Sequence, residues 1–120
     1  MAPKIWTLKE AREILPDIQR LTRTAHQLAD EIQRALDEKI HRESEMEKLE
    51  DDLQAVLNQW AQTVLKYGVE VKGLWLVDFD NGEGYYCWRL GEDDILYEHS
   101  YEAGFSGRRL IQEDGNQDEK

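Results

Sequence analysis

The sequence predicts an α+β protein, in which a long antiparallel helical hairpin, coiled-coil-like in its spacing, precedes a three-stranded antiparallel β-meander. Two changes of pattern support this order. Up to Gly68 apolar residues recur every three or four positions, which is the spacing of an amphipathic helix. Beyond Gly68 the spacing becomes two, and the residues are mostly aromatic or branched, as in half-buried strands.

The first helix is predicted to begin at Thr7, because Glu10 follows three positions later and the two residues form a capping box. The apolar seam of this helix comprises Ile14, Ile18, Leu21, Ala25, Leu28, Ile32 and Ala35, widened by Leu15, Ala29 and Leu36. Pro16 lacks a backbone donor, so we expect a kink near Arg12 or a short first helix separated from the rest.

A second helical seam precedes Gly68, which is a favourable left-handed stop. Its members are Met46, Leu49, Leu53, Val56, Trp60 and Val64, with Leu57 alongside. The polar segment 37–45 is predicted to hold the hairpin turn, near Arg42–Ser44. Neither Gly nor Pro marks this turn, so one long unbroken helix is the alternative. A two-helix hairpin rarely buries enough apolar surface alone, and we therefore expect the seam to meet the sheet or a second copy, as in a homodimer.

Three segments after Gly68 are predicted to be strands, at 73–79, 85–90 and 94–99, and 69–71 is compatible with a further short edge. Asn81-Gly82 is a strong signal for a two-residue hairpin loop. Such a loop places Val77 opposite Tyr86 and Trp75 opposite Trp88.

This register assigns side chains to the two faces of the sheet. The face predicted to pack on the helices holds Trp75, Val77, Phe79, Tyr86 and Trp88. The opposite face holds Asp78, Tyr85, Cys87 and Arg89. A slip of one residue would exchange the two sets. We expect a single domain over 1–111, with the hairpin at 7–67 and the meander and a glycine-containing loop at 69–111, followed by a disordered acidic tail at 112–120.

Charge and cysteine content exclude several classes of function. The net charge is −11; residues 1–68 hold 10 basic and 13 acidic side chains, and residues 69–120 hold 5 and 13. An acidic surface argues against binding to nucleic acid or to an anionic membrane. The single cysteine excludes an internal disulfide, and no apolar run has the length of a signal peptide or membrane span, so the cytoplasm is the expected location.

Side chains able to perform chemistry are concentrated late in the chain. Carboxylates and a neutral imidazole are common ligands of zinc, manganese and iron, so the candidate ligands of a metal site are Asp78, Glu92, His99 and Glu102. No HExxH or paired CxxC motif supports it. The alternative is architectural, with Glu92–Asp94 in a solvated turn and His99 packed at a strand end.

Two further features lie in the same region. Cys87 is a candidate additional ligand, but its acidic surroundings disfavour a nucleophilic thiolate, and a cysteine within a strand usually acts as a small apolar residue. The segment 102–109, EAGFSGRR, places Arg108 beside two glycines. Arg108 could hold an anion, or it could lock the loop by pairing with Glu92 or Glu102.

Several of these segments together resemble the small bacterial family catalogued as domain of unknown function 2203. The resemblance extends from residue 4 to about 109 and is carried by WTLKEAREILP, GVEVKG, LVDF, YYCWRLGEDDILYEH and EAGFSGR. It gives weight to Asp78, Cys87, Trp88, Gly91, Glu92, His99, Gly104, Gly107 and Arg108. Members of the family tend to have an aromatic residue in place of Glu98, and Gln-Pro where this chain has Arg109-Leu110. Neither Glu98 nor Arg109 is therefore expected to share a family role.

These observations leave two hypotheses of function. In the first, the protein is a small self-associating interaction or structural module whose late polar residues only hold the fold. In the second, it binds a divalent metal through the Asp78, Glu92, His99 and Glu102 cluster and resembles a metal-dependent hydrolase, with a metal-bound water as nucleophile. The substrate is not specified by the sequence.

Overall fold

Two helices followed by a five-stranded antiparallel sheet make up the computed structural model of this protein, which describes residues 4–38 and 41–112. The helices are α1 (Leu8–Asp37) and α2 (Glu43–Lys66), and the strands are β1 (Glu70–Gly73), β2 (Leu76–Asp80), β3 (Gly84–Arg89), β4 (Tyr97–Ser100) and β5 (Arg109–Leu110). The strands lie in the order of the chain, each paired with the next. The α+β class is confirmed, whereas the predicted tail lies outside the described residues apart from its first position.

The capping box at the start of α1 is confirmed. The Thr7 hydroxyl accepts a hydrogen bond from the backbone N–H of Glu10 at 3.1 Å, and the Glu10 carboxylate accepts one from the N–H of Thr7 at 3.0 Å. The prediction of a separate short helix before Pro16 is wrong, since α1 continues through this residue for 30 residues in all. Pro16 is exposed, so its ring meets solvent rather than α2 or the sheet.

The two helices form the predicted hairpin, because both open ends lie at the sheet. Trp6, just before α1, donates its indole N–H to the carbonyl of Gly68, just after α2, at 3.1 Å. The turn falls earlier than predicted: α2 already begins at Glu43, within the expected turn Arg42–Ser44. The reason is a local cap, since the Glu45 carboxylate accepts the backbone N–H of Arg42 at 2.8 Å.

The buried stripe of α1 differs from the predicted seam. It consists of Ala11, Leu15, Ile18, Thr22, Ala25 and Ala29. The two sets share Leu15, Ile18, Ala25 and Ala29, but Leu28 of the predicted seam is 47% exposed. The stripe is displaced because a polar residue takes a central place: Thr22 is fully buried, and its hydroxyl accepts the indole N–H of Trp60 at 2.9 Å. A purely apolar pattern does not reveal such a contact.

The sheet has five strands rather than the three predicted. β1 corresponds to the optional edge near 69–71, and it pairs with β2 through Val71 and Val77. β5 has only two residues and pairs with β4 through Leu110 and Tyr97. A two-residue strand has no periodicity of its own, and therefore only its pairing identifies it.

The register between β2 and β3 differs from the prediction by two residues. Val77 lies opposite Trp88 rather than Tyr86, and Asp78 lies opposite Cys87. The cause is Asn81, whose side-chain oxygen accepts the backbone N–H groups of Glu83 and Gly84, both at 2.9 Å, and closes a longer turn. Because the displacement is even, the residues that lie within β2 and β3 keep their predicted faces.

The inner face of the sheet packs on the helices and forms the core. Val77, Phe79 and Trp88 join Ile18 and Trp60 in one buried cluster. Trp75 departs from the prediction, because it precedes β2, has a positive φ of 60°, and meets the Trp60 ring from outside the strand at a centroid distance of 4.9 Å. No helix within the described residues has the length and hydrophobicity needed to cross a membrane.

Thr22→Val tests the buried contact between the helices. The substitution keeps the shape of the side chain but leaves the Trp60 N–H without its acceptor. We expect a loss of about 1–3 kcal/mol in the free energy of unfolding, measured by urea denaturation. Thr24→Val, at an exposed position of the same helix, is the control and is expected to change stability by less than about 0.5 kcal/mol. Equal effects of the two substitutions would show that the Thr22 hydroxyl does not stabilise the seam.

Candidate functional site

Three chemically active side chains meet on the outer face of the sheet, away from the helices. Asp78 comes from β2, Cys87 from β3 and His99 from β4. Asp78 and Cys87 are direct cross-strand partners. His99 is two positions beyond Tyr97, the cross-strand partner of Cys87, so strand alternation places it on the same face. The period of two therefore brings together residues that are up to 21 positions apart.

The three side chains form a close and buried group, which we name the outer-face triad. The Asp78 Oδ2 and His99 Nε2 atoms are 2.9 Å apart. One ligand atom from each of the three residues lies within 4.8 Å of the other two. Asp78 is 2% exposed, Cys87 0% and His99 6%. In the parts of the chain that the structure describes, no other group of His, Cys, Asp and Glu meets this distance.

The histidine ring is oriented by hydrogen bonds at both nitrogens. Its Nδ1 lies 2.8 Å from the carbonyl oxygen of Ser100, which only accepts, so Nδ1 carries a proton. Its Nε2 faces the Asp78 carboxylate. Nε2 then donates to a carboxylate if the ring is protonated, or accepts from a carboxylic acid if the ring is neutral. In either form one proton lies between the His99 Nε2 and Asp78 Oδ2 atoms.

The Asp78 carboxyl is only partly satisfied. Its second oxygen, Oδ1, is buried and makes no hydrogen bond of normal geometry among residues 4–38 and 41–112. Burial raises the pKa of Asp78, and the neighbouring Cys87 thiol and His99 ring offset part of the rise. Burial, together with the Asp78 charge, raises the pKa of the Cys87 thiol to about 12. A free thiolate nucleophile is thus disfavoured, as the sequence indicated.

A cavity of about 230 Å³ opens directly onto the triad. Besides the triad it is lined by Lys72, Leu76, Tyr85, Tyr101, Gly104 and Phe105. The Tyr85 ring contacts the His99 ring at a centroid distance of 5.4 Å and the Tyr101 ring at 5.1 Å. The triad is consequently buried from bulk solvent but reachable through an aromatic entrance.

The glycine-containing loop 101–108 covers this face, and Arg108 holds it in place. The Arg108 guanidinium binds the Glu92 carboxylate at 2.8 Å and lies 4.1 Å from the centres of both the Tyr97 and Phe105 rings. Its Nη1 is also 3.9 Å from the Cys87 sulfur. Within the loop, Gly104 has a positive φ of 66°. Of the two roles considered for Arg108, this geometry favours locking the loop through Glu92.

The structure brings together only part of the site that the sequence predicts. Asp78 and His99 are in contact, and Cys87, considered as an additional ligand, completes the group. Glu92 is engaged by Arg108, and Glu102 is exposed in the loop. Sequence reasoning overlooked Tyr101 and Phe105 as walls of the cavity. The sequence feature that indicates them is their position near Gly104 and Gly107, in a loop that folds back over the sheet.

Comparison with known proteins assigns the chain to a family. A family model described as an uncharacterized conserved protein (DUF2203) matches residues 4–111. The chain belongs to this family. The comparisons with curated proteins and with solved structures gave no match. The match spans both helices and the whole sheet of this DUF2203 protein, including the outer-face triad and its covering loop.

Asp78→Asn tests the energetic state of the triad in protein freed of metal by chelation. Asn keeps an acceptor at Oδ1 and donates to a neutral His99, but it never ionises. The raised pKa of Asp78 means that its contribution to stability is present at low pH and is lost as the pH rises through that pKa. We therefore expect the mutant to equal the parent near pH 4 and to match or exceed it by up to about 1 kcal/mol at pH 7.

Thermal unfolding across this pH range measures the effect. Asp51→Asn, at an exposed position of α2, is the control for the loss of one carboxylate away from the triad. If Asp78→Asn instead lost several kcal/mol at pH 7, the triad would be a stabilising ion pair, and a raised pKa of Asp78 would be excluded.

Proposed function

We propose that this protein binds a divalent transition metal ion, with zinc as the preferred ion, through Asp78, Cys87 and His99. The observation that supports it most directly is the convergence of carboxylate, thiol and imidazole donors within 4.8 Å in a buried site. Ligand atoms around one tetrahedral zinc lie about 3.3–3.5 Å apart, given bond lengths of about 2.0–2.3 Å. Small side-chain movements therefore suffice to reach this geometry.

The surroundings of His99 are those of a metal ligand. A metal-binding histidine usually donates its second ring N–H to a backbone carbonyl or carboxylate, which fixes the ring and leaves the other nitrogen for the metal. His99 donates from Nδ1 to the carbonyl of Ser100 and presents Nε2 to the triad. The buried Oδ1 of Asp78, with no hydrogen bond of its own in the described chain, offers a further donor atom.

The donor set favours zinc over manganese. A thiolate is a soft ligand that suits zinc, whereas manganese prefers sites made of oxygen ligands. Iron remains chemically compatible with imidazole and thiolate. Three protein ligands leave one position open, as in catalytic rather than structural zinc sites, so the hydrolase hypothesis rests on this open position.

Metal analysis of matched variants tests the proposal. Untagged protein purified without chelator is loaded with zinc, desalted, and measured by mass spectrometry of the metal. We expect about one zinc per chain in the parent and a loss of at least tenfold in affinity for His99→Ala and Cys87→Ser, because each removes one of three ligands. Asp78→Asn is the sharpest variant, since it keeps the shape of the side chain and a hydrogen bond to His99.

The controls are His26→Ala and Asp51→Asn, which remove the same residue types at exposed positions of the helices. Both are expected to bind zinc like the parent. Retention of stoichiometric zinc by all three triad variants would overturn the proposal. So would a folded parent that takes up no zinc at micromolar concentration, and in that case the triad would be architectural.

A second candidate function is self-association through the helices, with a second copy of the chain as the partner. An apolar groove of about 570 Å³ runs between α1 and α2, and it is lined by Leu21, Ala25, Leu28, Val56 and Trp60 among others. Leu21 and Leu28 are one heptad apart, and Ala35 continues the row. A row of this spacing fits another helix pair, and two hairpins related by a two-fold axis would form a four-helix bundle.

Leu28→Glu tests this candidate, because Leu28 is 47% exposed and the change is tolerated in a monomer. We expect a dimer in the parent and a monomer in the mutant at micromolar concentration, measured by sedimentation velocity. Leu65→Glu is the matched control: Leu65 lies on α2, is 54% exposed and is not part of the groove lining. A monomeric parent, or the same change in both mutants, would exclude the groove as the dimer interface.

A further inference from the structure

The cavity beside the outer-face triad has the chemistry of a binding site for a small organic molecule. We propose that it holds a small aromatic carboxylate, whose carboxylate completes the coordination of the metal and whose ring lies among Tyr85, Tyr101 and Phe105. The inference rests on the proposed metal site, and it names the class of ligand that the open position takes.

The position of the cavity supports binding next to the metal. All three triad residues belong to its lining, so a molecule inside it meets the triad directly. The remaining walls are formed by three aromatic rings, the Leu76 side chain, Gly104 and Lys72. The volume of about 230 Å³ is below the roughly 300–1,000 Å³ of pockets that take drug-sized ligands, which limits the occupant to a molecule with about one ring.

Exposed aromatic rings mark the entrance of the cavity. Tyr101 is 45% exposed and Phe105 is 39% exposed, although both are large and largely apolar. The Tyr85 and Tyr101 rings already stand edge to face, with an interplanar angle of 86°. A planar ring inserted beside them gains further offset or edge contacts, and it covers surface that is otherwise in water.

Lys72 provides the charge that selects an anion. Among the described residues, it is the one lysine or arginine in the cavity lining. Its ammonium is held by the Glu70 carboxylate at 3.0 Å and by the Tyr85 hydroxyl at 3.4 Å, and it lies over the Tyr85 ring at 4.4 Å. Because it is already ordered, little side-chain entropy is lost when it also contacts a ligand. The open position of the metal takes a donor with a lone pair, such as a carboxylate oxygen, and a ligand whose only polar group is cationic offers none.

Cobalt-loaded protein provides a direct assay with benzoate as the probe. A cobalt(II) ion bound by the Cys87 thiolate gives visible and near-ultraviolet absorption bands that respond to a change in the remaining ligand. We expect benzoate to shift these bands in a saturable way at millimolar concentration. Acetate, which lacks the ring, and benzamide, which lacks the charge, are each expected to bind at least about tenfold more weakly.

Variants separate the ligand site from the metal site. Lys72→Met and Phe105→Ala are expected to weaken benzoate binding by about tenfold each, as lost contacts of about 1.4 kcal/mol would do, without a change in cobalt affinity. Lys66→Met, on the exposed end of α2, is the matched control and is expected to leave both properties unchanged.

The outcomes distinguish two kinds of failure. If no thiolate-to-cobalt band appears, the proposed metal function itself fails. If the band appears but benzoate leaves it unchanged, the metal function stands and the ligand inference is overturned. Equal binding of benzoate and benzamide would exclude a role for the charge of Lys72, and equal binding of benzoate and acetate would exclude a role for the aromatic walls. Either result overturns the assignment of an aromatic carboxylate.

Discussion

The alternation of side chains along β2, β3 and β4 is the constraint on which both the core and the site depend. A strand has two faces, so each residue that points to the helices is followed by one that points away. Val77 and Phe79 enter the core while Asp78 between them joins the outer-face triad. The sheet thus separates an apolar layer, which packs on the helices, from an outer face that carries the triad. A change at one layer need not disturb the other.

The three side chains of the triad are buried although all of them carry polar or ionisable groups. A carboxylate, a thiol and an imidazole taken out of water lose solvation, and apolar residues of similar size would often stabilise the same place as well or better. On the outer face the loop 101–108 shields the triad from solvent, as the helices shield the inner face. Arg108 holds that loop through Glu92 and two aromatic rings. The fold therefore buries three polar side chains and leaves a cavity with aromatic walls beside them.

The sequence predicted the parts of the fold that depend on local spacing. The capping box of Thr7 and Glu10 and the change of period after Gly68 are signals within a few residues, and both correspond to observed elements. Features that depend on distant partners were not predictable in the same way. Thr22 is buried between the helices because the indole N–H of Trp60, 38 positions later in the chain, donates a hydrogen bond to its hydroxyl. β5 is defined only by its pairing with β4. The Asn-Gly pair alone predicts a two-residue turn, but the hydrogen bonds of the Asn81 side chain close a longer one.

The same turn decides what the site contains. In the register predicted from a two-residue loop, Cys87 lies opposite Leu76 and is one of several residues on the outer face. The longer turn moves β3 by two positions, so that Cys87 lies opposite Asp78 and becomes a potential ligand. Glu92 and Glu102 were grouped with Asp78 and His99 because they are near in sequence. In the structure Arg108 binds the Glu92 carboxylate, and Glu102 is exposed to solvent. The hydrogen bonds of the Asn81 side chain in a three-residue loop thus place the Cys87 sulfur directly beside the Asp78 carboxylate, whereas the register predicted from a two-residue loop would not.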